Sequence, residues 1–219
     1  HDVTDNAWRF AIDGDGKIGI GTTSPARELH LVNAGNNAIR IEGGASHTCQ
    51  LLFTPASGTE HQGRIGYYHG DDHMDFYTAA NERMRIDSSG RLLLTTSSNT
   101  SPIGWGNKLQ VAGTDASAGV SIRRDENGTG GALLVFGKSR GSLNGNTIVQ
   151  SGDQLGGMYF AGADGTDVNS IAAQISVEVD GTPGSNDMPG RILFKTTADG
   201  AASPTTRLTI GANGNATFA

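Results

Sequence analysis

A short segment that recurs three times constrains this chain more than any other feature. The copies read RFAIDGDGKIGI from Arg9, RMRIDSSGRLLL from Arg83 and RLTIGANGNATF from Arg207. Each has Arg first, Ile fourth, a four-residue turn that ends in Gly, and a second short run. Apolar and other residues alternate on both sides of the first turn, which is the periodicity of β-strands. The repeat predicts three copies of one β-hairpin.

The first turn, residues 13–16, also looks like the start of a calcium loop. A helix-loop-helix calcium site needs a third oxygen ligand two residues further on and a bidentate carboxylate at its end. Residue 17 is Lys, and the next carboxylate is Glu28. The later copies lack the paired carboxylates but keep the glycine, at Gly16, Gly90 and Gly214. We therefore expect a structural turn with left-handed glycine, with no metal or cofactor.

Aligning the hairpins divides the chain into modules. Three pairs of segments match: ELHLV from Glu28 with KLQVA from Lys108, AIRI from Ala38 with GVSI from Gly119, and GRIGYY from Gly63 with GRILFK from Gly190. We predict a first repeat module at residues 1–82, a second at 83–206, and the opening hairpin of a third at 207–219. The second module is longer because it contains a large insertion, around residues 131–189.

The composition indicates an all-β protein. Glycine, at 33 residues, has about twice its usual share, and aromatic residues make up only 6%. Apolar residues come in strand-sized runs such as ALLVF from Ala132, GGMYFAG from Gly156 and IAAQISVEV from Ile171. The first two hairpins begin 74 residues apart, and a module of that size with one-sided strands buries little surface alone. Copies of the same chain are the expected neighbours.

Charge and cysteine content exclude several classes of function. The net charge of −6 and the isoelectric point near 5.4 argue against nucleic acid or an anionic membrane surface as partner. No apolar run approaches the roughly 20 residues of a membrane span, so no membrane insertion is expected. Cys49 is the single cysteine, which excludes an internal disulfide.

Several phrases together resemble the repeats of bacteriophage tail fibres, particularly shaft regions that precede a C-terminal self-cleaving intramolecular chaperone domain. These are RMRIDSSG, GKIGIGTTSPARELHLV, VEVDGTPGSNDMPGRI and GRILFKTTADGAASPTTRLTI. The resemblance implies an elongated, intertwined homotrimer, with β-prism or triple-β-helix segments and β-sandwich-like insertions. It also implies location in the virion, contacts with other tail proteins, and attachment to a bacterial surface glycan or protein receptor.

The densest polar cluster lies in YYHGDDHMDFY, from Tyr67 to Tyr77. A metal site would need His residues on one helical face or on a rigid loop, whereas Gly70 and Asp71 predict a turn between strands. A solvated loop is the expected structure. The same segment is the best candidate for receptor contact, since tyrosine beside charged groups can stack on sugar rings. The candidate residues are Tyr67, Tyr68, His69, Asp71 and His73.

Two tryptophans have different predicted roles. Trp105 lies in SPIGWGNKL, a Gly-flanked loop that is longer than its counterpart in the first module. Such an insertion suits a receptor-binding knob, although closure of a trimeric core is the commoner role for tryptophan. Trp8 precedes the first hairpin and is expected in the core.

Enzymatic function is not expected from these residues. A polysaccharide-degrading tailspike needs two carboxylates about 5 to 10 Å apart, but it also needs a cleft lined by aromatic residues, which are sparse here. GKSRG at residues 137–141 has the Gly-x-Ser-x-Gly spacing, but an all-β chain offers no strand-to-helix turn for a nucleophile elbow, and no phosphate loop is present. The alternatives that remain are such a tailspike and a bacterial surface adhesin.

The arginines that open the hairpins, Arg9, Arg83 and Arg207, occupy one equivalent position. Because the next residue is expected to face inward, each arginine should start from the outward face of its strand. Arg suits bidentate pairing with carboxylates or capping of carbonyls, so we predict that these residues fix the register of adjacent chains. The alternative is a surface arginine whose stem covers apolar area.

Overall fold

The structure is a computed structural model that describes residues 10–56, 58, 62–116 and 118–219. The described residues form β-strands, turns and one 3-10 turn at Pro102–Gly104, with no α-helix among them. No helix in these ranges is long and apolar enough to cross a membrane. The predicted all-β class is confirmed, whereas Trp8 and Arg9 lie outside the described residues.

The chain divides into two compact units, residues 1–50 and 51–219. The predicted module boundaries do not coincide with this division and stay predictions. The first unit contains a three-stranded sheet, β1 (Phe10–Ile12), β2 (Ile18–Ile20) and β3 (Leu29–Leu31).

Two larger sheets follow, each with its strands in chain order. The six-stranded sheet contains β4 (Thr48–Phe53), β5 (Gly63–Tyr68), β6 (His73–Thr78), β7 (Asn81–Ile86), β8 (Leu92–Leu94) and β9 (Leu109–Val111). The five-stranded sheet contains β10 (Gln154–Gly162), β11 (Ser170–Val179), β12 (Gly190–Thr196), β13 (Thr205–Ile210) and β14 (Ala216–Phe218).

The three predicted hairpins share one geometry. In each, a five-residue connection joins two antiparallel strands, and the Ile of the repeat ends the first strand, with the pairs Ile12–Ile18, Ile86–Leu92 and Ile210–Ala216. In the first two hairpins the second strand also pairs in parallel with a third, β2 with β3 and β8 with β9. The predicted match between ELHLV and KLQVA is therefore confirmed.

The predicted match between GRIGYY and GRILFK is wrong. GRILFK lies in β12, which pairs directly with the hairpin strand β13, and the strand that pairs with β7 is β6, not β5. Both pairs even carry a register shift at the same place, between Phe76 and Tyr77 and between Phe194 and Lys195. GRIGYY therefore corresponds to β11. The two segments look alike because Gly-Arg-Ile begins both β5 and β12, which are not equivalent strands.

Each large sheet has one apolar face that its own unit leaves partly exposed. Directly opposed residues form ladders across the strands, Ile65–Phe76–Met84–Leu94–Val111 in one sheet and Met158–Ile175–Phe194–Leu208–Phe218 in the other. We call the faces that carry these ladders the open faces. Ile65 and Phe194 are each 37% exposed, and Phe218 is 79% exposed.

The opposite faces, here called the closed faces, contain most of the buried residues. Asp75, Leu93 and Gln110 are buried in the six-stranded sheet, and Ser176 and Leu193 are buried in the five-stranded sheet. Polar residues therefore make up most of the buried positions on the closed faces.

Some apolar runs form no strand within one chain. No strand is assigned to ALLVF (132–136), GVSI (119–122) or AIRI (38–41). Their apolar side chains are exposed, with Leu133 73% and Val120 70% exposed. ALLVF was predicted as a strand, so in this chain that prediction is wrong. The other two long runs are strands, β10 and β11.

Candidate functional site in the β5–β6 hairpin and the Trp105 loop

The turn of the hairpin repeat is built by backbone geometry. Gly16, Gly90 and Gly214 all have positive φ, at 81°, 69° and 80°, as predicted. The first carboxylate closes the turn, because Asp13 Oδ1 accepts hydrogen bonds from the N–H groups of Asp15 and Lys17 at 3.0 and 2.9 Å.

The second hairpin uses its aspartate in the same way. Asp87 Oδ1 accepts from the N–H groups of Ser89 and Arg91, each at 3.0 Å. The third hairpin has Gly211 at this position, and the side chain of Asp180 accepts from the next N–H, that of Ala212, at 3.0 Å. These oxygens serve the backbone, and the described residues contain no cluster suited to a metal ion.

The hairpin arginines contact a threonine of the neighbouring strand. Arg83 Nε donates to Thr78 Oγ1 at 3.1 Å, and Arg207 Nε donates to Thr196 Oγ1 at 2.9 Å. Thr78 and Thr196 occupy equivalent positions at the ends of β6 and β12. Both guanidinium groups lie on exposed residues, so the predicted contact with a second chain stays a prediction.

The β5–β6 connection is a turn, as predicted, at residues 69–72. Tyr67 is 36% exposed and its hydroxyl donates to Asp72 Oδ1 at 3.2 Å. The pKa of Tyr67 is raised, first by desolvation and then by Asp72. The ring of His69 lies edge-on to Tyr67, with centroids 5.1 Å apart. Tyr67 pairs with Met74 and lies two residues from Ile65, so its side chain is on the open face of the six-stranded sheet, and receptor contact by these groups stays a prediction.

The turn itself is exposed at Gly70, Asp71 and Asp72, as expected of a solvated loop, but two members of the cluster lie in β6 and are buried. Asp75 is 1% and His73 is 7% exposed. Arg64 binds Asp75 in bidentate fashion, with Nε 3.0 Å from Oδ1 and Nη2 on Oδ2, and its guanidinium lies 4.0 Å above the ring of Tyr77. His73 Nε2 lies 3.3 Å from Asp75 Oδ2, and Nδ1 contacts Asp71.

His73 therefore belongs to the closed face, where little of its side chain is accessible to a receptor. Alternation along HMDFYT places His73, Asp75 and Tyr77 on one side of β6, so the sequence contained this signal. Of the other candidates, the Asp71 side chain is 60% exposed and Tyr68 is half-buried, with its ring 5.6 Å from that of His73.

Trp105 lies in the loop between β8 and β9 and is 54% exposed. Its ring meets Tyr159 of β10 in a T-shaped contact, with centroids 5.3 Å apart and an interplanar angle of 70°. A surface cleft runs between them, lined also by Ile103, Asn107 and Phe136. Sequence reasoning missed Tyr159, since nothing local links it to a residue 54 positions earlier.

The structure is similar to two solved domains of one phage fibre. The first is the carboxy-terminal domain of the bacteriophage T5 L-shaped tail fibre with its intramolecular chaperone domain, with a TM-score of 0.63 and 17% identity over 85% of this chain. The second is the carboxy-terminal domain of that fibre, with a TM-score of 0.57 and 14% identity over 91% of this chain.

The chain spans 60% of the first structure and 89% of the second. No family model and no curated protein matches the sequence. The fold is therefore similar to that of a tail-fibre domain, which agrees with the resemblance seen in the repeats.

Proposed function

We propose that this chain is a segment of a bacteriophage tail fibre in which three copies intertwine. The carrying observation is the pair of open faces: two sheets of equivalent hairpin modules present apolar ladders that their own unit leaves partly exposed. Exposed apolar patches of this kind mark association surfaces, and identical repeats complete their cores against neighbours. The similarity in fold to a tail-fibre domain supports the assignment to a tail fibre.

In this assembly the segment acts as a rigid spacer and contributes to adsorption to the host surface. Its partners are its own copies, other virion tail proteins, and a bacterial surface glycan or protein receptor. The two full modules and the opening third hairpin are repeating units along the fibre, and Arg83 and Arg207 pair with neighbouring chains. The segment has no enzymatic role, so it releases no reducing ends from capsule or lipopolysaccharide.

Electron microscopy of the intact virion, labelled with antibody raised against this chain, tests the proposal. We expect label along a tail fibre. Label on the envelope of the bacterium would instead identify a surface adhesin. Release of reducing ends from purified polysaccharide would contradict the absence of enzymatic activity.

A further inference from the structure

The Trp105 loop is an addition that the hairpin architecture does not need. The equivalent connections have eight residues between β2 and β3 (21–28) and fourteen between β8 and β9 (95–108). Both join parallel strands in the same register, Ile18 opposite Leu29 and Leu92 opposite Leu109. The shorter loop makes the same connection, so the extra residues require another explanation.

The loop is held in place by its own chain. Gln110 is 6% exposed and its side chain makes three hydrogen bonds to the loop. Its Oε1 accepts from the Thr100 N–H at 2.9 Å, and its Nε2 donates to Asn99 Oδ1 at 2.8 Å and to the Asn107 carbonyl at 2.9 Å. A buried side chain that satisfies several loop groups fixes the loop before any ligand arrives.

A second anchor lies at Ile103. Its N–H donates to the Val168 carbonyl at 3.2 Å, which ties the loop to the connection between β10 and β11. Ile103 has φ 58°, a strained conformation for a β-branched residue. Such strain persists only where the surroundings fix it, and it is concentrated at functional sites.

The exposed side chains of the loop retain unused hydrogen-bonding capacity. Within the described ranges, neither the Trp105 indole N–H nor the Asn107 side-chain amide has a hydrogen-bond partner. Tyr159, in contrast, exchanges hydrogen bonds with the Gln154 side chain at 3.0 and 3.1 Å. The cleft thus combines an exposed aromatic ring, a fixed aromatic wall, and free donors and an acceptor.

We propose that the cleft formed by Trp105, Asn107 and Tyr159 binds a neutral saccharide. The C–H face of a pyranose ring packs on an aromatic ring, while its hydroxyl groups both donate and accept, which matches an indole N–H beside a carboxamide. No Lys or Arg lines the cleft, so nothing there recruits an acidic sugar or a phosphate. This inference rests on the proposed role in adsorption and names a receptor class and its contact site.

Saturation-transfer-difference NMR of the whole chain with maltohexaose, mannohexaose and chitohexaose tests the site. We expect transfer to at least one sugar, at least a tenfold loss of affinity for it in Trp105→Ala, and partial recovery in Trp105→Phe. The control, Leu143→Ala, removes a 93% exposed apolar side chain that does not line the cleft, and it should leave the affinity unchanged. The mass in solution should be the same for all variants.

Three results would overturn the inference: no transfer to any of the three sugars, equal binding by Trp105→Ala, or loss of oligomeric mass in that variant. The last would show that another copy of the chain covers the loop. Adsorption of the chain to host cells is measured in parallel. Adsorption that Trp105→Ala leaves intact would refute this site while the proposed function stands, whereas antibody label away from a tail fibre would refute the function itself.

Discussion

The two large sheets have the same strand order, hairpin register and bulge position, yet their closed faces differ completely. In the six-stranded sheet the centre is Asp75, bound by Arg64 and next to His73. In the five-stranded sheet the equivalent of Asp75 is Leu193, and the equivalent of Arg64 is Gln174. Charges remain only beside this centre, where Arg191 binds Glu178 at 2.8 Å.

This difference shows that the fold does not depend on what fills the closed face. A buried ion pair and a leucine occupy one site in equivalent sheets, as expected if desolvation of the charges offsets much of their attraction. The features that both sheets share are the hairpin turn, the bulge and the open apolar ladder. These features specify the module, and the ladder is the part that a single chain leaves exposed.

The largest effect is expected from removing one partner of the buried pair. Asp75→Ala leaves Arg64 without its carboxylate, on a side chain that is only 14% exposed, and should lower the free energy of unfolding by about 3 to 5 kcal/mol. Urea unfolding measures the change. The matched control is Asp125→Ala, since the Asp125 side chain pairs with Arg123 while 73% exposed, and it should cost less than about 0.5 kcal/mol.

A double variant sharpens the comparison. Arg64→Gln with Asp75→Leu gives the six-stranded sheet the residues of the five-stranded one and leaves no guanidinium unpaired. It should recover about half or more of the stability lost in Asp75→Ala. A double variant as unstable as Asp75→Ala would mean that the two closed faces are not interchangeable.

The next effect concerns the turn that the modules share. Gly16→Val and Gly214→Val should each cost about 1 to 2 kcal/mol, because a left-handed backbone crowds a side chain. Space is not the cause, since nothing lies within 4 Å of a Cβ built at either position. Asp15→Ser serves as the control and should be nearly neutral. A melting temperature unchanged in both Gly variants would refute the role of the turn.

A gain in stability, smaller than the losses above, is expected at the connection that precedes the hairpin strand, where the modules differ. β6 and β7 are joined by Ala79 and Ala80, which have φ 49° and 59°, whereas an eight-residue connection joins β12 and β13. Ala80→Gly should raise stability by about 1 kcal/mol. Ala198→Gly in the longer connection, where φ is not positive, should give no gain. Equal responses in thermal unfolding would contradict this.

Acid should destabilise both sheets through carboxylates that are bound in the folded state. Hydrogen bonds from the Arg140 guanidinium and the Gln150 N–H lower the pKa of Asp153. Burial raises the pKa of Asp87, but hydrogen bonds from the N–H and the guanidinium of Arg91 outweigh burial, so this pKa is also lowered. Because these folded pKa values lie below the ordinary 3.8, their contribution is present above about pH 4 and is lost as the pH falls.

The urea midpoint should therefore fall between pH 5 and pH 3. Asp153→Asn should be less stable at pH 7 and should lose less on acidification. A midpoint that changes equally in the wild type and in Asp153→Asn would show that Asp153 contributes nothing to the pH dependence.

Local patterns predicted the hairpins, while long-range pairing had to come from the structure. Arg, Ile and Gly at fixed offsets were sufficient for the turns, because φ at Gly16, Gly90 and Gly214 is a local property. The equivalence of β12 with β6 follows from the pairing of β12 with β13. Sequence similarity instead suggests β5, because β5 and β12 both begin with Gly-Arg-Ile. The burial of Asp75 is hard to predict locally because a buried carboxylate is uncommon unless paired, and its partner Arg64 lies eleven residues away.

The mass of the chain in solution tests the central claim, that copies of the chain cover the open faces. Light scattering at micromolar concentration should give about 68 kDa, three chains of 22.7 kDa, with β-type circular dichroism that disappears when the oligomer dissociates. A mass of 22.7 kDa together with native circular dichroism would show that one chain folds with its apolar ladders exposed, which would contradict the account.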